Sequence, residues 1–252
     1  MNTPTIELIH RHGSVRNYKP DPVPEADIKQ IITAAQAAST SSNLQAYSVV
    51  VTTDPAKKQK IQEITGNQKH ISQAPVFLLW CADFSRLKRA CEHQGYTVEA
   101  SYVENFMVAA VDAAIAMQNA ALAAESLGLG FCYIGALRND PGVVIDLFQL
   151  PELVYPVAGM TLGWPEKPPQ IRPRLPLDAV LHWDTYQQDD LQYLKAYDQA
   201  MIKTGIYQGR QVDKDDQDPT LYGWMEHSAR RTSKPSRPHL RETIQKSGFL
   251  LK

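Results

Sequence analysis

Gly128-Leu129-Gly130-Phe131-Cys132-Tyr133-Ile134 decides between two architectures. Two glycines flanking one residue invite a dinucleotide-binding fingerprint, but that fingerprint follows a strand and opens a helix. Here the order is reversed. An alanine-rich run with helical character, from about Thr97 to Leu127, comes first, and the apolar strand Phe131 to Ile134 follows it. Gly128 therefore reads as the left-handed residue that ends a helix, and a Rossmann domain is set aside.

Upstream, alanine gives the long helix high propensity and lets neighbouring backbones approach closely, as in a crowded interior or a subunit interface. Asn105, Asp112 and Asn119 recur seven apart and read as its solvated edge. Its most apolar part, Met107 to Leu129, is interrupted by Asp112, Gln118, Asn119 and Glu125. A bilayer span needs about 20 almost uninterrupted apolar residues, so no membrane is expected. The runs Ala46–Thr52, Val76–Cys81 and Val157–Leu162 read as strands, and Val76–Cys81 is apolar throughout, as for a strand covered on both faces. Thr3-Pro4 starts a first helix with Ile6 and Ile9 as its buried stripe. Pro24 opens a second, with Ile28, Ile31, Ile32 and Ala35 at helical spacing, and Ser39–Asn43 ends it. A basic helix spans Pro55–Thr65, and Asn139-Asp140-Pro141 starts another. Beyond a proline-rich passage, Pro165–Pro176, a helix carries Leu191, Leu194, Tyr197 and Met201, and short helices over Thr220–Arg231 and Pro238–Lys246 close the chain. Helices interleaved with about four strands make one compact unit with a helical tail, without repeats.

The 252 residues are 43% hydrophobic and 21% charged, which excludes disordered, collagenous and coiled-coil chains. Lys plus Arg total 26 and Asp plus Glu 27, a net charge of −1. Such a balance gives no overall field for nucleic acid or an anionic membrane, so anions must be met by local charges. Cys81, Cys91 and Cys132 form neither a disulfide framework nor a zinc site. Met1–Ile9 lacks a signal-peptide core, and a reducing cytoplasm is the expected location.

Hydrolytic chemistry finds no support. There is no Gly-x-Ser-x-Gly elbow, no HExxH and no phosphate loop ending in Gly-Lys-Ser/Thr, and His10 and His12 sit awkwardly for a shared metal. What the chain offers is phosphate-type donors. His12, Ser14 and Arg16 alternate along an extended segment, so an imidazole, a hydroxyl and a guanidinium project from one side. The alternative is a capped helix end with Arg16 in solvent. Thr40, Ser41, Ser42 and Asn43 add hydroxyls and an amide, or form an ordinary polar loop. Arg172 and Arg174, stiffened by flanking prolines, share a face if extended.

His12-Gly13-Ser14-Val15-Arg16-Asn17-Tyr18 resembles the opening motif of the FMN-dependent nitroreductase superfamily, and Ser41-Ser42-Asn43-Leu44-Gln45 its second flavin loop. The resemblance continues in order through Gly66-Asn67-Gln68, Tyr133–Asn139, Leu162–Pro165, Arg172–Pro176 and Arg230-Arg231-Thr232, and is closest to the NADPH nitroreductase and flavin reductase branch. It implies an α+β fold: a mixed, largely antiparallel sheet flanked by helices, with a helical C-terminal extension over 220–252, all within one FMN-binding domain spanning 1–252. It implies a homodimer with FMN at the interface and the alanine-rich helix as a dimerisation element. By the same resemblance His12, Ser14, Arg16, Arg172 and Arg174 hold the FMN phosphate. Thr40, Ser41 and Ser42 line the ribityl chain and ring, and Gln68 bonds the pyrimidine side of the isoalloxazine. Tyr133, Ile134, Gly135, Ala136 and Leu137 approach the flavin through their backbone.

The implied activity is ping-pong hydride transfer from NAD(P)H through FMN N5 to nitroaromatics, quinones or free flavin, with no protein nucleophile or acid–base pair required. Rival readings are another flavin chemistry of the superfamily, reductive dehalogenation or flavin cleavage, and a non-catalytic flavin-binding module. Gly13 stands where Arg is common, Ala136 where a second Gly is common and Arg172 where Lys is frequent. Lys203, Arg210 and Lys214 are the NAD(P)H-binding candidates, beside or within a loop expected to be mobile over 204–219. Asp213, Asp215, Asp216 and Asp218 oppose an extra phosphate there.

Overall fold

The structure, a computed structural model, describes residues 2–209 and 221–252. Chain contacts divide it into two compact units, residues 1–170 with 239–252, and residues 171–238. In the first unit the order is α1 (Pro4–His10), α2 (Glu25–Gln36), β1 (Tyr47–Thr52), α3 (Pro55–Ile64), α4 (His70–Gln73), β2 (Val76–Asp83), α5 (Ser85–His93), α6 (Val103–Ser126), β3 (Gly130–Ile134), α7 (Pro141–Phe148) and β4 (Val154–Gly163). The second unit holds α8 (Leu191–Lys203) and α9 (Trp224–Thr232), and α10 (Leu240–Lys246) belongs to the first.

The four strands form one sheet in the order β1-β2-β4-β3, and every described pairing is antiparallel. β2 sits inside it with all eight residues buried. Leu78 and Trp80 point into a core with Ile31 and Ala35 of α2 and Ala113, Ala116, Ala120 and Ala124 of α6. Phe77, Leu79 and Cys81 point the other way, onto Ile61, Ile71, Leu137, Val144 and Phe148. Strand alternation thus feeds two helical layers, which is why β2 reads as an unbroken apolar run.

Local signals act as their chemistry requires. The Thr3 hydroxyl accepts from the Ile6 N–H, and the Asp54 and Asp140 carboxylates cap α3 and α7, each followed by a proline. Gly128, at φ 82°, ends α6, with its N–H on the Glu125 carbonyl and the Leu129 N–H on the Ala124 carbonyl.

Three expectations need correction, and one element is new. Ile6 and Ile9 are not a buried stripe, since α1 has no buried residue. The long helix begins at Val103 rather than Thr97. A separate helix, α5, precedes it, and its strongly polar run Ser85–His93 gave no apolar period to read. Asp112 is not on a solvated edge: it is 1% exposed. By length and composition α6 is the one helix among the described residues apolar enough to cross a membrane, yet it packs on α2 and the sheet.

Gly159 lies where β4 crosses Phe77. An added Cβ would sit 2.3 Å from Phe77 Cζ and 3.2 Å from Leu137 Cδ2. Overpacking of this kind costs about 1–3 kcal/mol. Gly159→Ala should therefore lower the melting temperature by several degrees in a thermal melt, and an unchanged midpoint would contradict the packing.

Candidate functional site

Residues 12–18 start against the free edge of β3, where Val15 bonds Phe131, and end antiparallel to 164–166 just beyond β4. The Val15 N–H donates to the Phe131 carbonyl at 2.8 Å, and the Tyr18 hydroxyl lies 2.8 Å from both the Val15 carbonyl and Thr161 Oγ1. Close seating needs glycine at two places. A Cβ on Gly130 would fall 2.4 Å from Val15 Cγ2, and one on Gly13 would fall 2.8 Å from the Gln170 carbonyl oxygen. The second contact explains why no arginine stands at position 13.

Burial alternates along this segment: Gly13 and Val15 are buried, while His12, Ser14 and Arg16 are half-exposed on the other side. The face expected from the spacing is there. Among the described residues Ser14 and Arg16 have no side-chain hydrogen bond, so hydroxyl and guanidinium are available to an anion. His12 is more constrained. Its Nδ1 lies 2.6 Å from Glu125 Oε1, and its ring stacks on Phe131 with centroids 5.0 Å apart.

The same flank carries α4. His70 is buried, and its Nε2 has no hydrogen-bond partner among the described residues. Burial, and then the nearby positive charge of Arg16, push its pKa down to about 4, so the ring is neutral at ordinary pH. Gln68 opens this stretch after two residues at positive φ, Gly66 at 80° and Asn67 at 58°. One hydrogen of its amide goes to the Thr65 carbonyl at 2.9 Å, and the other is available. Tyr133 is part-exposed. Its hydroxyl bonds Gln118 Oε1 at 3.0 Å, and burial raises its pKa above the usual phenol value. Ile134 and Leu137 are buried, while Gly135 and Ala136 are half-exposed in a 3₁₀ turn over Gly135–Asn139. Neither Gly135 nor Ala136 needs a left-handed backbone, which explains why alanine is tolerated at 136. A Cβ on Gly135 would instead meet Arg138 Nη2 at 3.2 Å.

The second loop is built differently. Ser42, Asn43 and Gln45 all have positive φ, at 47°, 57° and 52°. Non-glycine residues held there cost of order 1–3 kcal/mol each and persist only under constraint. Asp112 is one constraint: Oδ1 accepts the Ser41 N–H at 2.9 Å and Oδ2 the Ala46 N–H at 3.0 Å. Arg86 is the other, donating to the Gln45 carbonyl at 2.9 Å and the Tyr47 carbonyl at 3.3 Å. Behind it sits Asp83. Burial would raise its pKa, but hydrogen bonds from Ser48 and Ser85 and the charge of Arg86 outweigh that and hold it below the usual carboxylate value. The sequence reading missed both anchors. A buried aspartate inside an alanine-rich helix was the available signal for Asp112. The loop presents Thr40, half-exposed, and Ser41 and Ser42, exposed.

Within one chain the two clusters are apart. Ser41 is held at Asp112 and His12 at Glu125, thirteen residues along α6. That is about 20 Å along the axis and about 140° around it. Arg172 and Arg174 belong to the second unit. Arg172 is half-buried, and exposed Arg174 turns its guanidinium onto the Arg172 and Pro173 carbonyls. Lys203 ends α8, whereas Arg210, Lys214 and most of the 204–219 loop lie outside the described residues. Among the described residues no cluster of His, Cys, Asp or Glu could hold a metal.

This edge-strand donor row beside a glycine-approached turn coincides with a family match. The profile described as the Nitroreductase family matches residues 9–164, and that of the Nitroreductase family, C-terminal domain, matches 172–252. The chain belongs to the nitroreductase family. It is 38% identical over 247 residues to an oxygen-insensitive NADPH nitroreductase of Salmonella typhimurium, covering 98% of each chain. It is 40% identical over 248 residues to an FMN reductase [NAD(P)H] of Bacillus subtilis, covering 97% of each. Among solved structures, the NADPH:FMN oxidoreductase of Vibrio harveyi complexed with NAD+ superposes with a TM-score of 0.88 at 34% identity, covering 99% of this chain and 100% of that one. The nitroreductase fold expected from the motifs, a sheet flanked by helices, is thus in place, and the sheet expected to be mixed and largely antiparallel is antiparallel in every described pairing.

Asp112→Ala should free the buried Ala46 N–H and the Ser41 N–H and let the loop relax. An unsatisfied buried donor costs about 1–3 kcal/mol. Urea unfolding should show a loss of about 2 kcal/mol or more with an unchanged slope. A loss below about 0.5 kcal/mol, the size of an ordinary surface substitution, would rule the anchor out.

Proposed function

We propose that this nitroreductase-family protein is an FMN-dependent NAD(P)H oxidoreductase acting on quinones, nitroaromatics or free flavin. The observation that carries the reading is the row His12, Ser14 and Arg16. It is pinned to the edge of β3 on one side and presents an imidazole, a hydroxyl and a guanidinium on the other. That donor set suits a phosphate monoester, and the names of the relatives, a nitroreductase and flavin reductases, are consistent with it. FMN, when bound, would supply the hydride-transfer chemistry between NAD(P)H and the acceptor.

The chain's own residues then bind and orient. Arg16 and Ser14 hold the phosphate, with Arg172 and Arg174 as further cations. Gln68 directs its free amide hydrogen at the pyrimidine edge of the ring, where negative charge gathers on reduction. Residues 133–137 supply backbone groups, with Gly135 leaving room for close approach. Thr40, Ser41 and Ser42 line the ribityl chain and ring.

A ribityl chain begins one ester bond from its phosphate, yet one chain holds Ser41 and His12 about 20 Å apart along α6. A second copy resolves this, lending its 40–45 loop to the phosphate row of the first. α6 also exposes an apolar stripe at four-residue spacing, Val103, Met107, Val111 and Ile115, between 42% and 54% exposed. Stripes of this kind mark contact surfaces. The homodimer works in the cytoplasm, with Lys203 near the nicotinamide donor.

Charge-assisted hydrogen bonds contribute about 1.5–3 kcal/mol, and tenfold in affinity is about 1.4 kcal/mol. Arg16→Ala should weaken FMN binding at least about tenfold, and riboflavin should bind wild type poorly; equal affinity for riboflavin and FMN would remove the phosphate site. Gln68→Ala should lower the reduction potential of bound FMN, measured by dye equilibration. An unchanged potential would take Gln68 off the ring.

A further inference from the structure

His12 meets Glu125 with little freedom. The two atoms, Nδ1 and Oε1, are 2.6 Å apart, and the side chains keep only 27% and 13% of their exposure. The imidazole face lies on Phe131, inclined at 26°. Turning the ring over would keep the stacking on Phe131 but carry Nδ1 away from Glu125. An ionised carboxylate can only accept, so Nδ1 carries the hydrogen. In a neutral ring Nε2 is then a bare lone pair. It can donate only after the ring has taken a second proton.

Above pH 7 a free phosphate monoester is mostly a dianion, its second pKa being about 6, and all its oxygens accept. A bare Nε2 and a dianion are two acceptors facing each other. We propose that Glu125 is a positioning residue that fixes the tautomer of His12, so that capture of the flavin phosphate at Nε2 takes up one proton. The proton comes from solvent and rests between Nε2 and a phosphate oxygen, leaving a carboxylate–imidazolium–phosphate chain. Phosphate retention thereby becomes pH-linked, while riboflavin, having no phosphate, escapes the linkage.

The other charged and titratable groups near His12 do not supply this proton. Arg11, at the end of α1, and Arg16, on the same extended segment, stay charged throughout. From β3 comes the Tyr133 hydroxyl, whose pKa is raised by burial and then by Glu125, so it stays neutral. From α6 comes Glu125 itself.

The inference rests on the FMN reading, and the experiment separates the two. Holoprotein is diluted between pH 7 and 9, and the recovery of flavin fluorescence gives Kd for FMN at each pH. For a single linked proton, Kd should rise toward tenfold per pH unit at the alkaline end, while Kd for added riboflavin stays level. Glu125→Gln should flatten the FMN profile, because a carboxamide can turn its N–H₂ to Nδ1 and leave Nε2–H as a ready donor in the neutral ring. A merely structural role for Glu125 would change affinity but not slope. A wild-type FMN profile level from pH 7 to 9, or one as steep in Glu125→Gln as in wild type, overturns the inference and leaves the cofactor reading standing. Should the variant not fold, the wild-type contrast between FMN and riboflavin still decides. Failure to retain FMN at any pH overturns both.

Discussion

Asp112, enclosed in the middle of α6, receives the Ser41 and Ala46 N–H groups and so closes a loop whose residues 42, 43 and 45 stand in the left-handed region. Neither partner is comfortable alone. A buried carboxylate needs donors, and three strained residues need a frame that forbids relaxation. Arg86 holds the carbonyl side of the same loop, steadied by Asp83 and Ser48, so both polarities of the backbone are tied. Strain kept in a serine-bearing loop has its natural use in presenting hydroxyls at a fixed place.

The sheet supplies the opposite flank. β2, buried on both faces, separates a layer of α2 and α6 from one of α3, α4 and α7. Gly130 thins the β3 edge enough for Val15 to seat on it, and residues 12, 14 and 16 are thereby turned outward. α6 spans both flanks. It holds the serine loop near its centre through Asp112 and the segment of His12, Ser14 and Arg16 near its end through Glu125. These anchors stand about 20 Å apart along its axis, the spacing on which the proposed two-chain site rests, and Val103, Met107, Val111 and Ile115 form an exposed apolar stripe on the same helix.

Much of this was legible in the residues. The apolar run 76–81, the Pro-led helix starts and the Gly128 cap are short-range signals, and each appears where its chemistry puts it. The alternation of His12, Ser14 and Arg16 was readable because an extended segment has a period of two. Asp112 was misread because a seven-residue polar spacing marks one face of a helix without saying what that face meets; only the folding back of residues 41–46 supplies the partner. Ile6 and Ile9 were misread for a related reason, since periodicity names an apolar face but not its cover. The hydrogen bond from His12 to Glu125 spans 113 residues, and no local pattern carries it.

In the proposed dimer one binding site takes its His12–Arg16 segment from one chain and its serine loop from the other. Arg16→Ala and Asp112→Ala chains, each expected to lose FMN alone, can be co-expressed with different tags and the mixed dimer isolated. If the halves come from different chains, one site of the mixed dimer carries both defects and the other none. The flavin absorbance should then recover to about one FMN per two chains, with that flavin reducible by NADPH. If each site is built from a single chain, both sites carry a defect, and a mixed dimer as empty of flavin as its parents would contradict the account.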